Sequence, residues 1–323
     1  MLRSRPSLIF ALFLLLPGCG GNGVGSLGVF VEAEDTIQNG LEPGEGVENV
    51  TDGWTVDFDK YVAVLGDIEL RFATDEELTA DAHEMIAIDL TRIPAQGVQL
   101  WSIEALDEGR WEFGYTLGTG QHDAERHDSV STEDFERIVD EDLSYFIAGG
   151  LTHPEGVSCP PPALADVGDR AADAKSDAGV DCYSNDAIAF EFAVSVETSM
   201  GPCEIDGKTG VAITANKKET AAVTIHGDHV FFNGFPEGEE TSVTRRAQWL
   251  ADCDLNVDGR VTREELEAIA PADLAAMNGV NLGGALLRLD SMWDYVAAQL
   301  KTQGHFNGEG ECPVDGVAHD HDH

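Results

Sequence analysis

Ala187-Ile188-Ala189-Phe190-Glu191-Phe192-Ala193-Val194-Ser195-Val196 places five large apolar residues at every second position. Successive side chains of an extended strand point to opposite faces, so Ile188, Phe190, Phe192, Val194 and Val196 would line one buried face. The same period recurs upstream. Trp54, Val56 and Phe58 form one set, Ile68, Leu70 and Phe72 a second, and Trp111, Phe113, Tyr115 and Leu117 a third. Shorter apolar runs at Met85–Leu90, Val98–Trp101, Tyr145–Ala148 and Val223–Phe232 supply further strands, and Asp52-Gly53 and the Gly/Pro-rich Gly40–Gly46 supply turn chemistry. The spacing predicts an antiparallel β-sandwich over residues 29–237, within an α+β chain. One helix, Ser131–Leu143, interrupts it. A long surface insertion at about 155–185, rich in small residues and Pro160-Pro161-Pro162, is expected to carry no regular structure.

After residue 238 the pattern turns helical. Thr241 or Ser242 can cap a helix through Val243, Ala247 and Leu250. Thr262–Ile269 forms a second, stopped near Pro271. Asp290 or Ser291 can cap a last helix with Trp293, Val296, Ala297 and Leu300 on one face and Gly304 as its C-cap glycine. Between the first two helices lies Asp254-Leu255-Asn256-Val257-Asp258-Gly259-Arg260-Val261-Thr262-Arg263-Glu264-Glu265. Short oxygen side chains stand at positions 1, 3 and 5, glycine at 6, and an apolar residue at 8. Position 9 is a hydroxyl that can hold a water, and position 12 is a glutamate.

This stretch resembles the calcium loop of the EF-hand family. The resemblance implies Ca2+ held by Asp254, Asn256, Asp258, the Arg260 carbonyl, Thr262 and Glu265, with affinity of roughly 10⁻⁴–10⁻³ M and a mainly structural role. EF-hands usually come in pairs and the chain shows one loop, so the last helix is expected to cover its apolar side. The expected helical region spans residues 238–312, and residues 313–323 form a His/Asp-rich tail.

The chain starts with Arg3, Arg5 and an apolar run from Leu8 to Leu16, too short to cross a bilayer and suited to a signal peptide over residues 1–18. Leu16-Pro17-Gly18-Cys19 resembles the lipobox of bacterial lipoproteins. That resemblance implies lipidation at Cys19, a membrane partner reached through the lipid, and an outer-membrane location. Residues 19–28 are then a flexible tether.

Lysine and arginine number 19 against 60 aspartate and glutamate, a formal net charge of −41. Phosphate backbones would repel such a chain, so nucleic acid is not an expected partner. No cysteine pair has CxxC spacing, and disulfides Cys159–Cys182 and Cys253–Cys312 are expected, leaving Cys203 unpaired.

Histidines give a second chemical signal. His226 and His229 stand three apart, which in a regular strand sends them to opposite faces; only a bend at Gly227 brings them together. With His305 they would form a site for Zn2+ or Cu2+, a periplasmic transition-metal alternative to the calcium function. His319, His321 and His323 add a weak tail site. The sequence contains no GxSxG, HExxH, phosphate-binding glycine loop or dinucleotide fingerprint, and catalysis is not expected. A calcium-dependent adhesion or scaffold protein, with a protein or glycan partner, is the third expectation.

Overall fold

The computed structural model describes residues 23–121, 123–236 and 243–315. The signal peptide, Cys19, the Thr241 and Ser242 caps and the His319–His323 tail lie outside them. In chain order the strands that build the fold are β1 (Val24–Ala33), β2 (Thr55–Phe72), β3 (Asp75–Ala82), β4 (Ile86–Asp89), β5 (Val98–Asp107) and β6 (Gly109–Leu117). They continue with β7 (Tyr145–Thr152), β8 (Ala187–Val194), β9 (Thr198–Met200), β10 (Lys218–Ile225), β11 (Arg260–Val261) and β12 (Gly304–Phe306). The helices are α1 (Asp35–Asn39), α2 (Thr132–Asp140), α3 (Gln248–Ala251), α4 (Arg263–Ala268), α5 (Pro271–Asn278) and α6 (Met292–Leu300).

The chain is therefore sheet-rich α+β. A large sheet runs β9-β6-β2-β7-β8-β11, with β3 and β4 also paired to β2. A four-stranded sheet runs β12-β10-β1-β5. The alternation that predicted β8 sorts its side chains as expected: Ile188, Phe190, Phe192 and Val194 are buried while Ala187 and Ala189 are exposed. In β6, Trp111, Phe113, Tyr115 and Leu117 are likewise buried. Two predicted strand sets, around Val56 and Leu70, fuse into the 18-residue β2. Its centre is buried on both faces, because Tyr61, Ala63 and Leu65 enter the main core while Val62 and Val64 meet Ile138 and Phe146 in a second cluster beside α2.

Four expectations need correction. The body is not wholly antiparallel: β1 and β10 pair in parallel with Ala33 opposite Ile225, and β8 and β11 are parallel too. Residues from Val24 onward belong to β1 rather than to a tether, with Leu27 fully buried, because they pair with both β5 and β10. The expected insertion carries three short strands, Val157–Ser158, Ala174–Lys175 and Asp181–Ser184, in one small sheet. The helix through Val243, Ala247 and Leu250 shrinks to the single turn α3, since Arg245 makes extended bridges to Val50 and Phe232 instead.

Two further corrections fall at the C-terminal end. α6 is capped by Ser291 at its start and Lys301 at its end, and Gly304 opens β12 rather than closing the helix. Cys159–Cys182 forms as expected, but Cys312 pairs with Cys203, leaving Cys253 as a buried thiol. Cys253 cannot reach the tail because its Sγ lies over the α3 turn, 3.2 Å from the Trp249 carbonyl it donates to. Cys203 is carried beside Cys312 by backbone pairing of Glu204 with Glu311. A single core cluster joins Val223 and Phe192 to Trp249, Leu266 and Val296, so the helical segments share the interior of the sheets.

Candidate metal centres

β10 ends at Ile225, and a 3₁₀ turn over Asp228–Phe231 follows with Gly227 as its N-cap. This is the bend that could unite His226 with His229. A Cβ on Gly227 would lie 2.6 Å from Ile37 Cγ1, so α1 presses on the bend and no larger residue fits without a shift. β12 pairs antiparallel with β10, setting His305 opposite Thr224, two residues before His226.

The three imidazoles converge. The His226 and His305 rings stack with centroids 4.0 Å apart, while His229 stands 5.6 Å from His226 and 5.3 Å from His305. One ring nitrogen from each lies within 4.8 Å of the other two, and the residues are only 1%, 2% and 7% exposed. His229 Nδ1 is 2.9 Å from Thr302 Oγ1, and its ring stacks on Phe232 at 4.4 Å. That contact orients the imidazole and makes Nε2 its candidate ligand atom, as outer-shell partners of metal-bound histidines do.

Around the imidazoles lie groups that the sequence did not single out. Glu34 follows the last residue of β1, donates its backbone N–H to the Ile225 carbonyl at 3.0 Å, and reaches within 3.5 Å of His226 Nδ1 with Oε1. Glu34, His226 and Asp228 make a second group of converging ligand atoms. Asp228 is fully buried and accepts from Arg245 Nε at 2.6 Å, with Nη2 at 2.5 Å from the same oxygen. The Arg245 guanidinium in turn lies 4.7 Å from the Phe232 ring centre. Burial, followed by the charges of Tyr145, Asp228 and Glu34, pushes the Tyr61 phenol well above its usual range. It therefore stays a donor, to Gln303 Oε1 at 2.5 Å, and Gln303 accepts the His226 backbone N–H through its carbonyl. Only the parallel register of β1 and β10 brings Glu34 here, and period-two alternation carries no signal of which strands are neighbours.

The Asp254–Glu265 loop is the second candidate. Val257 (φ +53°) and Gly259 (φ +84°) turn the backbone through the left-handed region. Asp254 is fully buried; its Oδ1 accepts from Asp258 N–H at 3.1 Å and its Oδ2 from Gly259 N–H at 2.8 Å and Asn185 Nδ2 at 2.9 Å. Asn256 Oδ1 accepts from Asp258 N–H and Asp258 Oδ1 from Arg260 N–H, both at 3.0 Å. Thr262 is the N-cap of α4 and Glu265 closes a capping box with it. Glu265 Oε1 accepts from Leu255 N–H at 3.0 Å, while Oε2 accepts from the Thr262 N–H and hydroxyl, each at 2.9 Å. With its oxygens so engaged, Glu265 does not join Asp254 and Asp258 in a group converging within 4.8 Å.

The loop leans on the large sheet. β11 pairs with β8, Val261 opposite Phe190, and Ala189 N–H donates to the Gly259 carbonyl at 2.9 Å. α6 packs on α4, with the Arg263 guanidinium 4.7 Å from the Trp293 ring centre. Cys253, one residue before the loop, has its thiol pushed well up by burial and by the neighbouring carboxylates, so it is no thiolate ligand.

No family model, curated protein or solved structure matches the chain. Among the described residues no helix is long and apolar enough to cross a membrane.

Proposed function

We propose that this is a metal-binding protein of the bacterial cell envelope, lipid-anchored at Cys19. His226, His229 and His305 form a buried transition-metal centre, and the Asp254–Glu265 loop binds calcium structurally. The finer architecture in this proposal is a β-sandwich whose helical end is locked by one EF-hand. One observation carries the choice of the histidines as the functional centre. Three imidazoles, two from the bend at 226–229 and one from β12, meet in the interior with one ring nitrogen of each within 4.8 Å of the others. An imidazole whose one nitrogen is engaged, as His229 Nδ1 is by Thr302 Oγ1, can offer its other nitrogen to a metal. Imidazole suits zinc and copper, and the role is binding or carriage rather than catalysis.

The calcium reading is supported by the loop's oxygen spacing, by its left-handed turns, and by its docking on β8. In binding, the ion would draw Glu265 from its cap into the coordination sphere, so that metal replaces Leu255 and Thr262 as its partner.

Both halves are tested by calorimetric titration of the full chain carrying alanine at the three tail histidine positions, 319, 321 and 323. One Zn2+ or Cu2+ should bind per chain and be lost in His229→Ala, and one Ca2+ should bind and be lost in Glu265→Gln. Zinc and copper binding that disappears with the tail histidines alone would sink the buried centre. Calcium binding unchanged by Glu265→Gln would sink the loop.

A further inference from the structure

A cavity of about 360 Å³ lies between the small sheet of the insertion, α3 and α5, within the size range of small-molecule sites. It contains none of the candidate metal ligands. Val157, the Cys159–Cys182 disulfide, Met277 and Val280 give it apolar walls, and the exposed residues Ala174, Lys175 and Asp177 form its rim. Part of its polar lining is already fixed. Asp252 Oδ1 accepts the Cys159 N–H and Gln248 Nε2, both at 2.7 Å, and Gln248 Oε1 accepts the Trp54 indole N–H at 3.1 Å. Groups ordered in advance lower the entropic cost of binding. Two lining atoms stand apart from this network. Trp249 is 1% exposed, and its Nε1, which can only donate, makes no hydrogen bond among the described residues. Asp52 Oδ2 accepts the Gln248 N–H at 2.9 Å, whereas Oδ1 is enclosed and makes none. Burial raises the Asp52 carboxyl above its usual range, outweighing the nearby Gln248 and Ala247 backbone N–H groups and the Arg246 charge.

Buried polar atoms of this kind call for a partner, and the lining narrows what that partner is. A cation would meet Arg246 and Lys175. An anion would meet Asp52, Asp177 and Asp252 in a chain of formal charge −41. A hydrocarbon would leave both Trp249 Nε1 and Asp52 Oδ1 without a hydrogen bond. A hydroxyl accepts from an indole N–H and donates to a carboxylate, so it suits both atoms. A ring bearing several hydroxyls also has C–H surface to set against the disulfide and Met277. We propose that this cavity binds a neutral polyhydroxylated molecule the size of a single sugar ring, with hydroxyls paired to Trp249 Nε1 and Asp52 Oδ1. The further function is reversible capture of a small sugar, and it depends on neither metal centre.

The test uses the full chain, titrated by calorimetry and by ligand-observed NMR with D-glucose, D-galactose, D-mannose and N-acetyl-D-glucosamine. Glucosamine, gluconate and L-leucine serve as the cationic, anionic and zwitterionic probes. At least one neutral sugar should bind, one molecule per chain, and more tightly than any of the three charged probes. Trp249→Phe keeps a ring and removes the N–H, while Asp52→Asn removes the charge and sets an amide N–H2 where an acceptor stood. Each should weaken the sugar by about tenfold, because a polar partner is left unmatched. Ala174→Trp fills the rim without touching either partner and should abolish binding, and thermal unfolding of each variant reports folding. The proposal falls if none of the four sugars gives a saturable signal, or if glucosamine, gluconate or L-leucine binds more tightly than they do. It falls equally if Trp249→Phe or Ala174→Trp, folded as the parent is, binds the sugar with the parent's affinity.

Discussion

Val257 is a β-branched residue held at φ +53°, where its Cβ crowds the following carbonyl. A non-glycine residue pays about 1–2 kcal/mol for that region, and asparagine tolerates it best among the alternatives. Val257→Asn should therefore stabilise the chain by about 1 kcal/mol, seen as a higher urea midpoint at unchanged slope. Under the proposed calcium reading, titration of the variant should stay close to the parent, because position 4 would give a bound ion no side chain. An unchanged or lower midpoint would mean that the valine side chain supplies packing that offsets its backbone cost. At this scale the sequence was most legible where residue type alone decides chemistry. The oxygen spacing from Asp254 to Glu265 could be read directly. Glu34 could not, because nothing in a lone glutamate after an apolar strand says which histidine it will face.

At the scale of elements, the Cys203–Cys312 bridge closes the longest covalent loop among the described residues, with a separation of 109. It fastens the segment after β12 to the region beside β6, where Cys203 N–H donates to the Phe113 carbonyl at 2.8 Å. β12 carries His305, so the bridge also restrains one member of the histidine cluster. In the chain-entropy account a loop of about 100 residues contributes about 4–5 kcal/mol, a model-dependent figure. Cys203→Ala with Cys312→Ala should lower thermal stability by several kcal/mol and weaken zinc binding, while leaving calcium affinity near the parent value. Loss of Cys159–Cys182, with a separation of 23, should cost less, about 3 kcal/mol. Equal losses from the two pairs would show that local strain or unfolded-state structure, and not loop length, sets their worth. Elements with a strong internal period, β6 and β8 above all, were readable because burial on one face is written into each of them. The pairing of β1 with β10 was not, since the partners lie far apart in the chain and alternation is silent about parallel or antiparallel sense. The expected Cys253–Cys312 pairing fails for the same reason: the spacing of the cysteines is silent about the pairing of Glu204 with Glu311 that sets Cys203 beside Cys312.

The whole molecule is an anion of formal charge −41, and this bears on how any cation effect must be judged. Self-repulsion of like charges opposes the compact state, and any salt will relieve it. Screening length falls from about 30 Å at 0.01 M ionic strength to about 8 Å at 0.15 M. The unfolding temperature should therefore climb as sodium chloride is raised across that range, in the parent protein and in every single-site variant alike. Divalent ions gather around such a surface too, so a rise in stability on adding calcium in dilute buffer distinguishes nothing. Specific binding has a different signature, since an ion held only by the folded state stabilises it by RT ln(1 + [L]/Kd), about 1.4 kcal/mol at tenfold excess over Kd. That increment should survive at about 0.15 M sodium chloride, be matched poorly by magnesium, which demands a tighter octahedral shell, and vanish in Glu265→Gln. Differential scanning calorimetry with calcium, magnesium or no added divalent ion at constant ionic strength separates the two. If calcium and magnesium raise the transition equally, and Glu265→Gln responds as the parent does, the ions belong to the atmosphere around the carboxylates and the loop is a capped turn. A calcium-only rise that Glu265→Gln abolishes places the ion in the loop, and ties the helical end to the sheet through β11.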